Sequence, residues 1–516
     1  MAQIYISELT FGYENSYDNI FENVSFSIDS NWKLGFIGRN GKGKSTFLNL
    51  LLGKYEYQGN ISTSAVFDYF PYPIDTAQMK ENTIDIVESV HPDYELWKIC
   101  RELELLKIDS GILYRPYETL SHGERTKVML AVLFSRDNYF LLIDEPTNHL
   151  DVPARELVKD YLNTKKGFIL VSHDRSLLDA CVDHVLVLNR SSIEVEKGNF
   201  SSWWENKQRQ DDFERSENDK LKKEIGKLQE SAKRTAAWAD KVENSKIGFD
   251  PVKESDRSIG TRSYLGEKSR RMQQRRKNLE NRQQAAINEK SGLLKDIEEP
   301  VELKLMPLHH QKPIYIRAVD FGIAYEGNEV ITGFNMELLR GDRVVLQGGN
   351  GSGKSSIIKA ILTAPGAAVL NSMTKEMINT NRHQQGELEI VNGLKISYIN
   401  QDTSHLHGSV DDYTEQMEVS NSLFKAILRQ LDFDRIQFEK PMEDYSEGQK
   451  KKVLIAASLL QQAHLYIWDE PLNYIDIFTR MQIENLILQY QPTMLIVEHD
   501  QSFAYKIGTK LKYVSK

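Results

Sequence analysis

Short, continuous apolar runs recur along the chain, each closed by glycine or by acidic residues. LGFIG at 34–38 leads through a glycine-rich turn into the helical run TFLNLLLG, and VVLQG at 344–348 leads the same way into SIIKAIL. FLLIDEP at 140–146 and LYIWDEP at 465–471 each end in two carboxylates. Uninterrupted apolar runs of this length read as strands buried on both faces, and their alternation with helical runs predicts α/β layers around parallel sheets. Between about Trp203 and Glu299 the pattern changes. Apolar residues become sparse and fall three or four apart, as in Leu221, Ile225 and Leu228, then Leu279, Ala286, Leu293 and Ile297. That spacing predicts exposed, charge-laced helices. Gly248, Pro251, Gly260 and Gly266 break it between Ser245 and Gly266, so two long helices joined by a tip loop at about 245–266 are expected. A flexible linker is the alternative. Pro300, Pro307 and Pro313 mark the return to compact chain. The expected domains are 1–202, 203–299 and 300–516.

Composition narrows the class. The 516 residues carry 65 Lys and Arg against 74 Asp and Glu, a net charge of -9, which excludes a protein basic all over. No run of about 18 apolar residues occurs, so no membrane-spanning helix is expected. The start, MAQIYISELTFGYENSYDN, lacks the basic and apolar regions of a secretory signal. Two cysteines, Cys100 and Cys181, rule out a disulfide scaffold or a four-cysteine metal site and fit a reducing cytoplasm.

The same ordered motifs appear twice. GRNGKGKS (38–45), LSHGE (120–124), FLLIDEP and VSHD (171–174) are followed by GGNGSGKS (348–355), YSEGQ (445–449), LYIWDEP and VEHD (497–500). Ser121 to Asp144 spans 23 positions, as does Ser446 to Asp469. The two sets define two nucleotide-binding domains. In Gly38, Asn40, Gly41, Lys42, Gly43, Lys44, Ser45 and Thr46, and again in Gly348, Asn350, Gly351, Ser352, Gly353, Lys354, Ser355 and Ser356, a glycine-rich loop opens a helix. Its backbone N–H groups can close on phosphate, Lys44 or Lys354 can reach the β- and γ-phosphates, and Ser45 or Ser355 can ligate Mg²⁺. Asp144 and Asp469 are placed to hold Mg²⁺, and Glu145 and Glu470 to polarise an attacking water.

These residues resemble the ATP-binding-cassette superfamily over nearly the whole chain outside the middle segment. The resemblance implies two cassette (P-loop) domains in tandem joined by a long α-helical hairpin. It also implies composite ATP sites, each completed by the other cassette's signature, here Ser121 and Gly123 or Ser446 and Gly448. Asp151 and Asp476 match the loop that crosses the interface, and His173 and His499 match the switch histidine. Tyr13 and Tyr325 match the aromatic that stacks on adenine, though a core role fits both tyrosines. The second signature glycine is replaced by His122 and Glu447. Gln401 matches the glutamine that senses Mg²⁺ and water, whereas the first cassette has Tyr72 there. From Lys354 to Gly386 is 32 positions, against 15 from Lys44 to Gly59, leaving about 365–385 without an assigned role.

Partitioned along the chain, the charge becomes informative. Residues 220–282 hold 18 Lys and Arg against 9 Asp and Glu, leaving 47 against 65 elsewhere. Within 268–282 stand Lys268, Arg270, Arg271, Arg275, Arg276, Lys277 and Arg282 with one acid, Glu280. Such a helix suits an RNA phosphate track. A basic hairpin between two cassettes resembles the ABC-F family of translation ATPases, most of all its Lsa-type antibiotic-resistance members. The resemblance implies docking at the ribosomal E site, contacts to 23S rRNA and P-site tRNA, and displacement of lincosamide, pleuromutilin and streptogramin A drugs; within the tip loop, Lys246 and Phe249 are the candidate contacts. It implies a cytoplasmic monomer with no membrane or DNA partner. The first cassette has no long insertion between Tyr72 and Ser121, and no basic extension follows VSK, which favours a resistance member over a housekeeping translation factor. The energising subunit of a membrane importer is the alternative from another class, and the basic hairpin argues against it.

Overall fold

The structure is a computed structural model that describes residues 3–13, 19–137, 139–148, 150–189, 192–247, single helical positions between 274 and 282, and 303–325, 328–370 and 383–514. It divides into two compact units, Met1–Trp203 with Val301–Lys516, and Trp204–Pro300.

The first unit contains both repeats. Strands β1 (Gln3–Phe11), β2 (Phe21–Asp29), β3 (Lys33–Ile37), β4 (Gln58–Ser62), β5 (Val66–Phe70), β6 (Tyr139–Asp144), β7 (Phe168–Val171), β8 (His184–Leu188) and β9 (Ile193–Lys197) build the first cassette. Its central sheet runs β5-β6-β7-β3-β8-β9, parallel except for the β8–β9 pair, beside an antiparallel sheet β2-β1-β4. The second cassette repeats this with β10 (Ile314–Tyr325), β11 (Asn328–Leu339), β12 (Arg343–Gln347), β13 (Ala367–Val369), β14 (His383–Ile390), β15 (Leu394–Ile399), β16 (Leu465–Asp469), β17 (Met494–Val497) and β18 (Lys510–Tyr513). Its sheets run β13-β15-β16-β17-β12-β18 and β11-β10-β14.

The wholly apolar strands are the reason these sheets lie inside. β7 and β17 are buried at every residue, and β6 at four consecutive positions before Asp144. In each cassette the strand that ends in the paired acids lies beside the one that precedes the switch histidine. Asp144 is opposite Val171, and Asp469 is opposite Val497. The phosphate-loop strands β3 and β12 flank them on the other side, so parallel pairing gathers the motif-bearing strand ends on one edge.

Six helices of the first cassette matter below or frame it: α1 (Lys44–Leu51), α2 (Thr83–Val90), α3 (Leu96–Leu105), α4 (His122–Phe134), α5 (Val152–Asn163) and α6 (Arg175–Cys181). α7 (Phe200–Ile247) then runs for 48 residues. It begins before position 203, and it continues through Lys246, so the tip loop expected from Ser245 starts no earlier than 248. Among its described side chains most are exposed, with Lys207–Asp211, Arg209–Glu205 and Arg234–Glu230 pairs one turn apart. Its root is buried. Trp203 meets the ring of Phe478 edge-on at 6.2 Å and packs on Phe200. Phe249, Lys268, Arg270, Arg271, Arg275 and Arg276 and the Lys246 side chain lie outside the described residues. Lys277 and Arg282 are helical and exposed. Residues 371–382 of the added segment also lie outside the description.

The second cassette's helices are α8 (Lys354–Thr363), α9 (Val410–Gln416), α10 (Asn421–Gln430), α11 (Glu447–Leu460), α12 (Ile477–Tyr490) and α13 (Gln501–Ile507). Trp468 on β16 is 1% exposed, and its indole N–H donates to Ser458 Oγ on α11 at 3.0 Å. Trp468→Ala therefore removes a large core side chain, while Ser458 Oγ keeps its 2.8 Å hydrogen bond to Ser397 Oγ. It should cost about 3–5 kcal/mol, read as a lowered urea midpoint for the second cassette.

Candidate active site

Both phosphate loops take the same shape. Gly43 and Gly353 cap α1 and α8 at φ 109° and 96°. A Cβ there would stand 2.4 Å from Ile20 or from Ile331, so only glycine fits. Lys44 Nζ donates to Gly38 O at 2.6 Å and Arg39 O at 3.1 Å, and Lys354 Nζ to Gly348 O and Gly349 O, both at 2.9 Å. Each lysine thus lies across the concave side of its own loop, where an anion would sit. Burial lowers the pKa of both. Thr46 is buried and Ser356 half-buried on the first turns of these helices, while the Ser352 hydroxyl is buried with no hydrogen bond among the described residues.

The acids behind the loops are also paired. Ser45 Oγ donates to Asp144 Oδ2 at 2.9 Å, and Ser355 hydrogen-bonds Asp469. Burial raises both aspartates, with Asp469 pushed up to about 6 by burial and then by Glu470. Oδ1 of Asp469 is buried with no hydrogen-bond partner among the described residues. A hydroxyl and an unsatisfied carboxylate oxygen are hard donors that fit Mg²⁺. Glu145 and Glu470 follow at φ 51° and 48°, left-handed backbone rarely adopted by glutamate.

The two glutamates differ. Burial, then Asp144, pushes Glu145 up to about 8. His173 Nε2 lies 3.2 Å from its Oε1 without hydrogen-bond alignment, and burial with Lys44 and Arg480 holds that imidazole well below its usual range. At Glu470 burial acts upward, but His499, 3.4 Å away, with Lys451 and Lys354, outweighs it and lowers the pKa. Gln401 Nε2 donates to Glu470 Oε2 at 2.8 Å, and Asn473 Nδ2 donates to the same oxygen at 2.7 Å.

Tyr72, the positional counterpart of Gln401, turns away. Its hydroxyl donates to Asp68 Oδ2 at 2.7 Å, and Asp68 pairs with Arg136 at 2.9 Å. Tyr69, three residues earlier, instead donates to Asp144 Oδ2 at 3.2 Å. Tyr69 was missed by motif reading because it lies inside a strand, where period-two alternation alone aims it at β6's acidic end. The Tyr13 hydroxyl is 3.0 Å from Thr46 Oγ1 with the ring 43% exposed, so the ring stands open beside the first phosphate loop. Tyr325, at the end of β10, packs half-buried on the second cassette's core.

The cassettes close on one another. Asn40 Nδ2 donates to Tyr474 O at 2.7 Å, Arg39 pairs with Asp432 at 2.8 Å, and Arg175 pairs with Glu484, which also accepts from Lys506 at 2.8 Å. Ser446 N-caps α11 with a capping box to Gln449, and Ser121 caps α4 with Glu124. A Cβ on Gly448 would stand 2.5 Å from Tyr474 O and 3.3 Å from Asn40 Nδ2, which puts the second signature at the first phosphate loop. Asp476, fully buried, acts on Lys44 and His173. Burial alone would raise its pKa, but Lys452, 3.3 Å away, and the Thr479 N–H more than offset this. Across the other interface Asp151 Oδ2 is 3.6 Å from a Cβ on Gly349, and a Cβ on Gly123 would meet, among the described residues, only Leu150, at 3.6 Å.

Two outcomes follow from this geometry. Gly448→Ala forces a backbone shift costing about 1–3 kcal/mol at the closed interface, so ATP turnover should fall roughly five- to a hundredfold, whereas Gly123→Ala should stay near wild type in the same assay. Gln401→Ala in a Glu145→Gln background should lower the remaining turnover by about tenfold or more, while Tyr72→Phe in a Glu470→Gln background should change it by less than about twofold.

Comparison with known proteins agrees with this architecture. The ribosome protection protein VmlR of Bacillus subtilis is 25% identical over 502 residues, covering 96% of this chain and 84% of its own. The ATP-binding protein Uup of Buchnera aphidicola subsp. Acyrthosiphon pisum is 27% identical over 542 residues, covering 100% and 81%. The archaeal ribosome recycling factor aABCE1, solved with the stalk protein aP1, superimposes with a TM-score of 0.59 at 17% identity, covering 98% of this chain and 87% of that one, a likeness of fold. The ABC transporter family model matches residues 21–148 and 331–473, just over half of the chain, and takes in both phosphate loops and both acidic strand ends. With two complete nucleotide sites built from its own cassettes, the chain belongs to the ABC transporter family of ATP-binding ATPases.

Proposed function

We propose that this ATPase is an ABC-F protein that binds the bacterial ribosome and protects it by dislodging large-subunit antibiotics of the lincosamide, pleuromutilin and streptogramin A type. The observation that carries the reading is the match to a ribosome protection protein over 96% of this chain and 84% of that one. Its natural output is the charged helical segment between the cassettes. No described helix is long and apolar enough to cross a membrane; against the reading as an importer's ATPase subunit stands the long charged helix α7 between the cassettes.

The mechanism starts from the interface. ATP bound by Lys44 and the loop from Gly38 would meet Ser446 and Gly448, and ATP bound by Lys354 and the loop from Gly348 would meet Ser121 and Gly123. The phosphate charge would thereby hold the cassettes together. Tyr13 and Tyr325 are the proposed adenine contacts. Ser45 with Asp144, and Ser355 with Asp469 and Gln401, would hold Mg²⁺, which when bound neutralises charge on the β- and γ-phosphates. Glu470 accepts the proton of the attacking water, Glu145 does so in its deprotonated form, and His173 and His499 contact the γ-phosphate. Loss of that phosphate removes the contacts that bridge the cassettes, and they separate. α12 is capped by Asp476, whose charge acts on Lys44, and carries Phe478, on which Trp203 at the root of α7 packs. Movement at the first ATP site therefore has a short packed route to the hairpin. Lys268, Arg270, Arg271, Arg275, Arg276 and Lys277 would follow 23S rRNA phosphates, with Lys246 and Phe249 near the tip and the P-site tRNA.

A Glu145→Gln, Glu470→Gln double variant should sediment with 70S particles in ATP and not in ADP. Failure to sediment would exclude the ribosome. Expression in a susceptible host should raise the inhibitory concentrations of lincosamides and pleuromutilins. Ribosome binding with unchanged sensitivity would instead identify a housekeeping translation factor.

A further inference from the structure

The second cassette carries a device that the first lacks. α11 begins with Glu447, where the family signature has glycine, and one turn later carries Lys451, so the two side chains share a helix face. They grip the chain on either side of Gln401. Lys451 Nζ donates to Asn400 O at 3.0 Å, and Glu447 Oε2 accepts from Thr403 Oγ1 at 2.6 Å. Gln401, held between these points, donates to Glu470 at 2.8 Å.

The Lys451 ammonium is 2% exposed, and such a cation is costly to bury without opposite charge. Asp469, Glu470, Glu498 and Glu447 supply that charge. Glu498 is also 2% exposed. Its Oε1 accepts from the backbone N–H of His499 at 2.8 Å and of Asp500 at 3.3 Å, and its Oε2 has no hydrogen-bond partner among the described residues. The carboxylate therefore fixes the switch-histidine turn while facing the environment of the ammonium. In the first cassette the matching positions are Thr126, whose hydroxyl bonds His122 O in its own helix, and Ser172, whose hydroxyl accepts from the Asp174 N–H. Both charges are replaced together by hydroxyls, and there Tyr72 stands in place of the glutamine.

We propose that Glu447 and Lys451 are positioning residues for hydrolysis at the second cassette's phosphate loop: they clamp residues 400–403 so that Gln401 is held on Glu470, with Glu498 as the charge partner that lets Lys451 stay buried. Because the clamp holds the backbone beside Gln401 and bonds neither the Lys354 loop nor Ser121, it governs the rate of the chemical step more than ATP affinity.

The test is steady-state ATPase in a Glu145→Gln background, so that the remaining turnover belongs to the centre at Lys354. Lys451→Thr and Thr403→Val should each lower kcat, by about tenfold and about threefold, with KM for ATP within about twofold. Lys451→Thr alone leaves Glu498 buried without its cation and should melt at lower temperature. The pair Lys451→Thr with Glu498→Ser installs what the first cassette uses, and should regain the melting temperature while kcat stays low. Recovery of kcat together with melting temperature in the double variant would show a purely structural pair and overturn the proposal. So would an unchanged kcat in a folded Lys451→Thr protein, or a loss confined to KM.

Discussion

A carboxylate with no access to water, Asp476, lies where the second cassette meets the first phosphate loop. Asp476 belongs to the second cassette, yet its charge acts on Lys44 and His173 of the first. A buried charge of this kind is tolerable only while its partners stay in place, here Lys452 at 3.3 Å and the N–H and hydroxyl of Thr479. Two features adjoin it. The first phosphate loop is completed by chain from the opposite repeat, and α12, which Asp476 caps, runs directly into the contact with Trp203 at the root of α7.

The duplicated motifs suggest two equal sites, but the chemistry around them is unequal. The centre at Lys44 is tightly covered, with Gly448 against Asn40 and Tyr474, a glutamate pushed up to about 8, and a tyrosine, Tyr69, on its Mg²⁺-side aspartate. The centre at Lys354 has a more open cover at Gly123, a glutamate held low and bonded to Gln401, and a buried lysine behind it. α11 belongs to both. Its first turn closes one centre, and its Glu447 and Lys451 hold the loop of the other. The replacement of the signature glycine by Glu447 thus has a physical role, since the carboxylate bonds Thr403.

Much of this was legible in the sequence because backbone geometry demanded it. Gly43 and Gly353 must be glycine, parallel strands must be apolar throughout, and equal spacing between repeats fixed the register of Asp144 with Ser121 and of Asp469 with Ser446. What escaped were contacts that depend on side-chain direction in three dimensions. Nothing in the sequence shows Tyr72 turning to Asp68, Tyr69 reaching Asp144, or Lys451 finding Asn400 across the fold. The start of α7 at Phe200 was hidden for another reason. Its first turn is apolar because it is buried, so the charged pattern that marks the helix begins only after Trp203.

Single-turnover hydrolysis by the two one-site variants most directly tests the claim that the centres differ. With ATP saturating, Glu145→Gln, which keeps Glu470 and Gln401, should release phosphate faster than Glu470→Gln, which keeps Glu145 and Tyr72. Equal rates, or faster release from Glu470→Gln, would contradict it.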